Sequence, residues 1–271
     1  MIADGLIKKV REFIDFVLVE NKISLINIKL ILHSLYYTVR SFLLKERNIA
    51  SEIYSYESLL FIKKKDPIAF LESCRRNDNA FPDGIIKEVI NLREDVFKVK
   101  SLYTLEIGSG PNSSLSFWVD NGLLNVIAID PLADVYKNIL KKLNYKYPIT
   151  PINIRAEDLM AYFREELFHI IFAQNSLDHV EDPLICFKNA YKLLKKGGFL
   201  FVCSNVKEGT RKLWLGMHKF DIYVENNKLL LADEKGEIFN FVDENMLLEL
   251  IFYETYFKNE VASFEAVFRK Y

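Results

Sequence analysis

The chain has 271 residues, of which 50% are hydrophobic and 27% are charged, and its formal net charge is -1. These values exclude an intrinsically disordered chain and allow one large α/β domain with an appendage, or two small domains. The balanced charge disfavours a dedicated nucleic-acid-binding protein, because no surplus of positive charge is available to hold a polyanion. The three cysteines form no CxxC pair, which argues against a disulfide framework or a zinc cluster and predicts a cytoplasmic protein.

The first third of the chain has apolar residues at helical spacing, as in Phe13, Phe16 and Val17. Charged residues interrupt the apolar stretch 6–44, so it contains no run of ~18 uncharged apolar residues and predicts no membrane-spanning helix. Packed amphipathic helices are expected, with a helix lying on a membrane surface as the alternative. We therefore predict a helical N-terminal cap over residues 1–98.

Two local signals occur within this cap. Asp66-Pro67 predicts a helix start, with Asp66 as the cap and Pro67 in the first turn. The run Phe-Pro-Asp-Gly at 81–84 predicts a turn.

The pattern changes near residue 100 to short apolar runs that alternate with helical stretches. Five strands are predicted, at 102–107, 125–130, 152–156, 168–174 and 199–206. Helices are predicted between them, at about 113–122, 132–144, 157–165 and 182–195. This alternation predicts an α/β fold, in which helices cover both faces of a parallel sheet, over residues 99–271.

The last third has a different pattern. Residues 221–231 predict a hairpin that turns at Asn226-Asn227, inside an insertion at about 207–240. Residues 243–252 predict a helix, and 254–261 and 264–271 predict two extended segments that form a terminal hairpin.

Two motifs at the ends of the first two strands indicate a nucleotide-type ligand. The run Glu106 to Pro111 contains Gly108, Ser109 and Gly110, and glycines at a strand end let the backbone approach a ligand closely. Asp130 ends the second strand, where a carboxylate can accept hydrogen bonds from the two hydroxyls of a ribose. An ordinary turn and a helix cap are the alternative interpretations of the two motifs.

Two further motifs follow the third and fourth predicted strands. Glu157, Asp158 and Leu159 form an acidic-apolar group that suits the edge and face of an adenine, or caps a helix. After the fourth strand come polar residues that should face the same crevice, because ligands bind at the carboxyl ends of parallel strands. These residues are Asn175, Ser176, Asp178 and His179. A histidine beside an aspartate in a crevice is a candidate general base, although a structural role for His179 is equally plausible.

The ordered set LEIGSGP, VIAIDP, AEDL, FHIIFAQNSLDHVEDP and LLKKGGFLFV resembles the successive motifs of class I S-adenosylmethionine (SAM)-dependent methyltransferases, with the small-molecule branch the most similar. The resemblance covers about residues 101–206. It implies a Rossmann-like seven-stranded sheet whose last strand is antiparallel. One departure is Asn112, which stands where the family loop often has a third glycine and puts in doubt how closely this loop approaches the cofactor.

The resemblance also implies roles for the motif residues. Glu106 and the 108–110 turn would hold the methionine part of SAM, and Asp130 would bind the ribose. The adenine would be flanked by Pro131 and Leu132 and edged by Glu157, Asp158 and Leu159. Asn175 and Ser176 would line the methyl-donor pocket.

The acceptor is expected to be a small molecule, a metabolite or a cell-surface sugar precursor methylated on a hydroxyl. No Asn/Asp-Pro-Pro-Tyr/Phe run, typical of nucleic-acid amino-methylating enzymes of this class, follows the fourth strand. His179, oriented by Asp178, is the first candidate base and His218 in the insertion is the second; their sequence spacing predicts no catalytic metal. The sequence leaves the oligomeric state open.

Two alternative functions remain. A nicotinamide-dependent oxidoreductase would share the glycine turn and the strand-end acid, but its usual GxGxxG loop differs from Gly-Ser-Gly-Pro-Asn-Ser at 108–113. A catalytically inactive methyltransferase fold that serves as a binding subunit is disfavoured by the intact Glu106, Asp130 and glycines.

Overall fold

The protein is described from a computed structural model covering residues 66–76, 85–214, 216–258 and 260–271. The helical pattern at 6–44 and the turn at 81–84 therefore lie outside the described residues. Helix α1 spans Pro67–Arg75 and helix α2 spans Ile85–Asp95. The predicted start of α1 is confirmed, because the Asp66 carboxylate accepts a 2.9 Å hydrogen bond from the backbone N–H of Ala69.

A mixed six-stranded sheet forms the centre of the fold. Its spatial order is β2-β1-β3-β4-β9-β8, where β1 to β4 run parallel and β9 is antiparallel to both neighbours. The strands are β1 (Leu102–Ile107), β2 (Leu124–Ile129), β3 (Phe168–Gln174), β4 (Leu194–Asn205), β8 (Leu248–Lys258) and β9 (Val261–Lys270). The predicted parallel core and antiparallel last strand are confirmed, but in the described ranges the sheet has six strands rather than the predicted seven, because the segment at Ile152 forms only one bridge.

Helices and apolar side chains cover both faces of this sheet. The connections carry α3 (Ser116–Asp120), α4 (Ala133–Lys142), a 3-10 turn (Ala156–Asp158), α5 (Leu159–Tyr162), α6 (Pro183–Leu193) and α7 (Glu208–Arg211). Successive residues of β3 point into opposite cores: Ile171 packs with Leu105 on one face, and Phe172 packs with Phe201 on the other. Burial on both faces explains why these strands are continuously apolar. Within the described ranges, no helix is long and apolar enough to cross a membrane.

The structure corrects two predicted elements. The strand predicted at 152–156 is reduced to a single parallel bridge between Ile129 and Ile152 at the sheet edge. The backbone N–H of Ile154 then turns back to the carbonyl of Ile152, which ends the pairing. The helix predicted at 243–252 is wrong, because β8 begins at Leu248 and pairs along its whole length with β9, so tertiary pairing overrides the local helical pattern.

A small second sheet occupies the predicted insertion. It contains β5 (Asp221–Glu225), β6 (Lys228–Ala232) and β7 (Ile238–Asn240) in antiparallel order. The hairpin predicted to turn at Asn226-Asn227 is confirmed, since both residues have positive φ, 50° and 58°, as a type I′ turn requires.

One buried histidine makes the stability of this sheet depend on pH. His169 in β3 accepts a 2.9 Å hydrogen bond at Nδ1 from the backbone N–H of Tyr103 in β1. Burial, together with the positive charge of Lys195, lowers the pKa of His169 to about 4. The folded protein therefore keeps this imidazole neutral at a pH where the unfolded chain would already be protonated. Its contribution to stability is complete above the ordinary histidine pKa of about 6.5 and is lost as the pH falls toward 4.

We expect the free energy of unfolding to fall by about 2 kcal/mol more between about pH 7.5 and pH 5 in the wild type than in His169→Asn. Asparagine supplies a carbonyl oxygen for the N–H of Tyr103 but does not titrate. Urea unfolding at the two pH values measures the difference. Parallel losses in the two proteins would contradict this assignment.

A close approach between the ends of β1 and β3 depends on Gly108. Its φ is +65°, and a Cβ built there would lie 2.4 Å from the Cβ of Ser176, far inside contact distance. Gly110 has a similar φ of +61°, but a Cβ there would meet nothing within 4 Å. A side chain at either glycine would strain the backbone, but only a side chain at Gly108 would also overlap a neighbouring residue.

We expect Gly108→Ala to destabilise the protein by about 1–3 kcal/mol more than Gly110→Ala, because only the former adds an overlap to the strain of a positive φ. Chemical unfolding of both variants measures this. Adding Ser176→Gly to Gly108→Ala should recover part of the loss, and equal losses for the two single variants would refute the packing argument.

Candidate active site

A cavity of about 290 Å³ opens at the carboxyl ends of β1, β2 and β3. This is the edge at which open parallel sheets bind ligands. Ten of the predicted site residues line it: Gly108, Ser109, Gly110, Asp130, Pro131, Leu132, Glu157, Asn175, Ser176 and His179. The topology thus brings together, from three separate strand ends, most of the residues that the motifs singled out.

The carboxylate of Asp130 organises the cavity floor. Its Oδ2 accepts a 3.0 Å hydrogen bond from the backbone N–H of Gly110, and its Oδ1 accepts a 2.8 Å hydrogen bond from that of Leu132. Asp130 is only 7% exposed but lines the cavity. A single side chain therefore fixes the loop after β1 and the turn after β2 relative to each other.

Glu106 lies beneath the same loop rather than in the cavity wall. Ser113 donates its hydroxyl to one oxygen of this carboxylate, and the backbone N–H of Ser114 donates to Oε1 at 3.0 Å. Burial raises the pKa of Glu106 to about 7, with a smaller contribution from the nearby charge of Asp130, and the two hydrogen bonds only partly oppose this. Glu106 therefore anchors the loop. It was predicted to contact the cofactor directly, but it is not among the residues that line the cavity.

The third motif divides between cavity and core. Glu157 lines the cavity and accepts a 2.7 Å hydrogen bond from the backbone N–H of Glu181. Asp158 is exposed and Leu159 is fully buried in the main core, and neither lines the cavity. The 3-10 turn directs Leu159 into the core. Asp158 and Leu159, which were predicted to contact an adenine, are therefore not among the residues that line the cavity.

Two polar residues after β3 also serve the framework. Asn175 accepts a 3.1 Å hydrogen bond at Oδ1 from the backbone N–H of Asn205, and its φ is +47°. Ser176 donates its hydroxyl to the carbonyl of Ile107 at 2.9 Å. Both side chains therefore join neighbouring strand ends while lining the cavity.

The three predicted catalytic residues meet at one end of the cavity. The Oδ2 atom of Asp178 lies 2.8 Å from Nδ1 of His218 and 3.4 Å from Nε2 of His179, and the two histidine nitrogens are 3.0 Å apart. Of the three, His179 lines the cavity, and Asp178 is 2% exposed. Although burial acts to raise it, the pKa of Asp178 is held below its ordinary value by the charges of His179 and His218 and by the hydrogen bond from His218.

The sequence analysis treated His179 and His218 as separate candidates, whereas the fold places both imidazoles beside the carboxylate of Asp178. The backbone N–H of Lys219 donates to the carbonyl of Asp178 at 3.2 Å, which holds the loop from the insertion against the end of β3. The segment is supported further by Asp221, whose carboxylate accepts hydrogen bonds from the N–H and hydroxyl of Thr210. No local motif connects positions 39 residues apart, so the pairing could not be foreseen.

Several cavity-lining residues were not predicted as site residues. They are Ile107, Pro111, Asn112, Ile129, Tyr136, Ile154, Arg155, Ala156, Val180, Glu181 and Met217. Ile154 and Arg155 lie in the third predicted strand, 152–156, so the carboxyl end of that strand was the signal for them. Met217 comes from the insertion, and nothing in its local sequence marks it.

Comparison with known proteins agrees with this architecture. Residues 105–202 match the family model described as "Methyltransferase domain". No curated protein sequence is significantly similar to the chain.

Solved structures of methyltransferases share the fold at low sequence identity. The 1,6-didemethyltoxoflavin-N1-methyltransferase of Burkholderia thailandensis, solved with 1,6-didemethyltoxoflavin and S-adenosylhomocysteine, is 10% identical with a TM-score of 0.40, and the match covers 75% of this chain and 86% of that one. A SAM-dependent methyltransferase of Methanosarcina mazei is 19% identical with a TM-score of 0.44, covering 70% and 98%. The CcbJ methyltransferase of Streptomyces caelestis is 17% identical with a TM-score of 0.40, covering 67% and 88%.

The matched segment 105–202 contains the glycine turn, Asp130 and the run Asn175 to His179, which are the positions that build the cavity. The antiparallel last strand of the sheet agrees with what the resemblance implied. Residues 105–202 therefore match a methyltransferase domain, the kind of domain that the resemblance to class I SAM-dependent methyltransferases implied.

Proposed function

We propose that this enzyme transfers a methyl group from SAM to a hydroxyl of a small molecule, a metabolite or a cell-surface sugar precursor, in the cytoplasm. The observation that carries the proposal is the cavity at the strand ends, with Asp130 in its floor and the Asp178–His179–His218 cluster at one end. The alternative functions, a nicotinamide-dependent oxidoreductase and an inactive binding subunit, are outcomes of the tests below.

The described residues fit SAM as a cofactor. Gly110 faces open space, since a Cβ there would meet nothing within 4 Å, so the backbone of the loop is accessible to a ligand. Asp130 would accept hydrogen bonds from the ribose, and the 108–110 turn would hold the methionine part. Pro131 and Leu132 would flank the adenine, with Glu157 at its edge, and Asn175 and Ser176 would lie beside the methyl-donor pocket.

SAM supplies a methyl group on a sulfonium, which is already a good leaving group. The task of the protein is then to place the acceptor oxygen in line with the methyl carbon and to exclude water. His179 lines the cavity and would take the proton from the acceptor hydroxyl. Asp178 would stabilise the imidazolium that forms, and His218 would hold Asp178 in place through their 2.8 Å contact.

The insertion supports a small acceptor. Met217 lines the cavity together with His179, so the insertion contributes to the cavity wall. The overall charge of -1 offers no general attraction for a nucleic acid.

We expect Asp130→Ala to weaken SAM binding by about 10–100-fold, the loss of hydrogen bonds to a charged group. Calorimetric titration with SAM and with S-adenosylhomocysteine measures this. Asp134→Asn is the matched control, because Asp134 lies one turn away on α4, bonds Lys137 and Asn153, and does not line the cavity. A wild-type protein that binds neither ligand would refute the proposal, and a change in NADH or NADPH fluorescence on mixing would favour the oxidoreductase.

Once a screen of hydroxylated small molecules has found an acceptor, we expect His179→Ala and His218→Ala each to lower kcat by about 100-fold or more. SAM affinity should stay nearly unchanged in His218→Ala, because His218 does not line the cavity. Release of S-adenosylhomocysteine measures turnover, and calorimetry measures the affinity. Normal turnover in both variants would show that the cluster is not used in the reaction.

A further inference from the structure

Three potential metal ligands converge in the Asp178–His179–His218 cluster. Asp178 Oδ2, His179 Nε2 and His218 Nδ1 lie 2.8, 3.0 and 3.4 Å from one another. If His218 donates its Nδ1–H to Asp178, the Nε2 atom of His179 can only share that same proton or approach Asp178 at the longer distance. Ordinary hydrogen bonding therefore explains two of the three contacts poorly, whereas all three atoms lie close enough together to bind one ion.

The spacing of the three atoms matches a metal coordination sphere. Zinc-type ions bind histidine nitrogen and carboxylate oxygen at about 2.0–2.2 Å. Neighbouring ligands at such bond lengths are about 2.9 Å apart in an octahedral arrangement and about 3.4 Å apart in a tetrahedral one. The observed distances span this range.

The ligand types indicate which ions would bind. Two imidazoles and one carboxylate suit first-row transition metals, whereas magnesium and calcium prefer sites built from oxygen. Because only three protein ligands are present in the cluster, further coordination positions stay open. The side chains of His179 and His218 are 24% and 23% exposed, and His179 lines the cavity, so the cluster is accessible to a ligand.

A neighbouring carboxylate lies near the second ring nitrogen of His218. A metal-bound histidine usually donates its other ring N–H to a carboxylate. His218 Nε2 lies 4.0 Å from Oε1 of Glu208, a buried carboxylate that is itself held by Arg211. The hydrogen bond from Lys219 N–H to the Asp178 carbonyl fixes the two ligand-bearing segments together.

We propose that Asp178, His179 and His218 bind one divalent first-row transition-metal ion, whose open positions take the oxygen of the methyl acceptor. Its role toward the acceptor rests on the proposed methyl transfer, but ion binding does not. With the ion bound, His179 would be a ligand instead of the base. The ion would lower the pKa of the acceptor hydroxyl, whose proton would pass to water. This assignment departs from the sequence-based prediction of no catalytic metal.

Titration of chelator-treated, full-length protein with Co²⁺ tests the site, because cobalt bound by nitrogen and oxygen ligands gives visible d–d absorption. We expect one equivalent to bind in the wild type, and loss of the absorption in His218→Ala and in Asp178→Asn. Glu208→Gln should weaken Co²⁺ binding by about 10–100-fold. Glu225→Gln is the matched control, since this exposed carboxylate ends β5 in the same insertion, does not line the cavity and should leave Co²⁺ binding unchanged.

Circular dichroism and thermal unfolding of each variant establish that it is folded; the partly exposed His218 makes His218→Ala the decisive variant if Asp178→Asn unfolds. Absence of stoichiometric Co²⁺ absorption in the wild type, or its persistence in folded His218→Ala, would overturn the proposal. SAM titration of the same samples separates the two proposals. Binding of SAM without cobalt would refute only the metal site, and binding of cobalt without SAM would refute only the methyltransferase function.

Discussion

The Asp130 carboxylate is the constraint on which the cavity depends. By accepting hydrogen bonds from the backbone of Gly110 and Leu132, it joins the segments that leave β1 and β2. Glu106 fixes the other end of the same loop through Ser113 and Ser114. The loop is thus held by two acidic side chains while Gly110 stays open to the cavity. Because these bonds use both oxygens of each carboxylate, hydrogen bonds within the protein fix the shape of the cavity floor.

Several residues that face the cavity also hold the sheet together. Ser176 bonds the end of β1, Asn175 bonds the end of β4, and Gly108 permits the close contact between Ser176 and the loop. Substitutions at these positions therefore change stability and ligand contact together. Comparing variants of Asp130 with variants of Asp134 is informative, because the two residues are of the same type but make different contacts. The same holds for Gly108 and Gly110.

The insertion supplies His218 to the cluster that it forms with Asp178 and His179. Asp221 at the start of β5 fixes Thr210 on α7, and the same segment presents Glu208 and His218. The backbone bond from Lys219 then ties this unit to Asp178 at the end of β3. A polar cluster that draws on two separate sheets requires both to be folded, so its geometry reports on the packing of the insertion against the parallel core.

The sequence by itself determined the parallel core, the strand-end motifs and the hairpin at Asn226-Asn227, because each depends on local signals: continuous apolar runs, glycine turns and residues that tolerate positive φ. Only the tertiary structure decided the rest. Pairing with β9 turned the predicted helix at 243–252 into part of β8, and the sheet edge reduced residues 152–156 to one bridge. The 3-10 turn buried Leu159, and the packing of the insertion brought His218 to Asp178 and His179. These outcomes arise from contacts between residues distant in sequence, whose energies no local pattern contains.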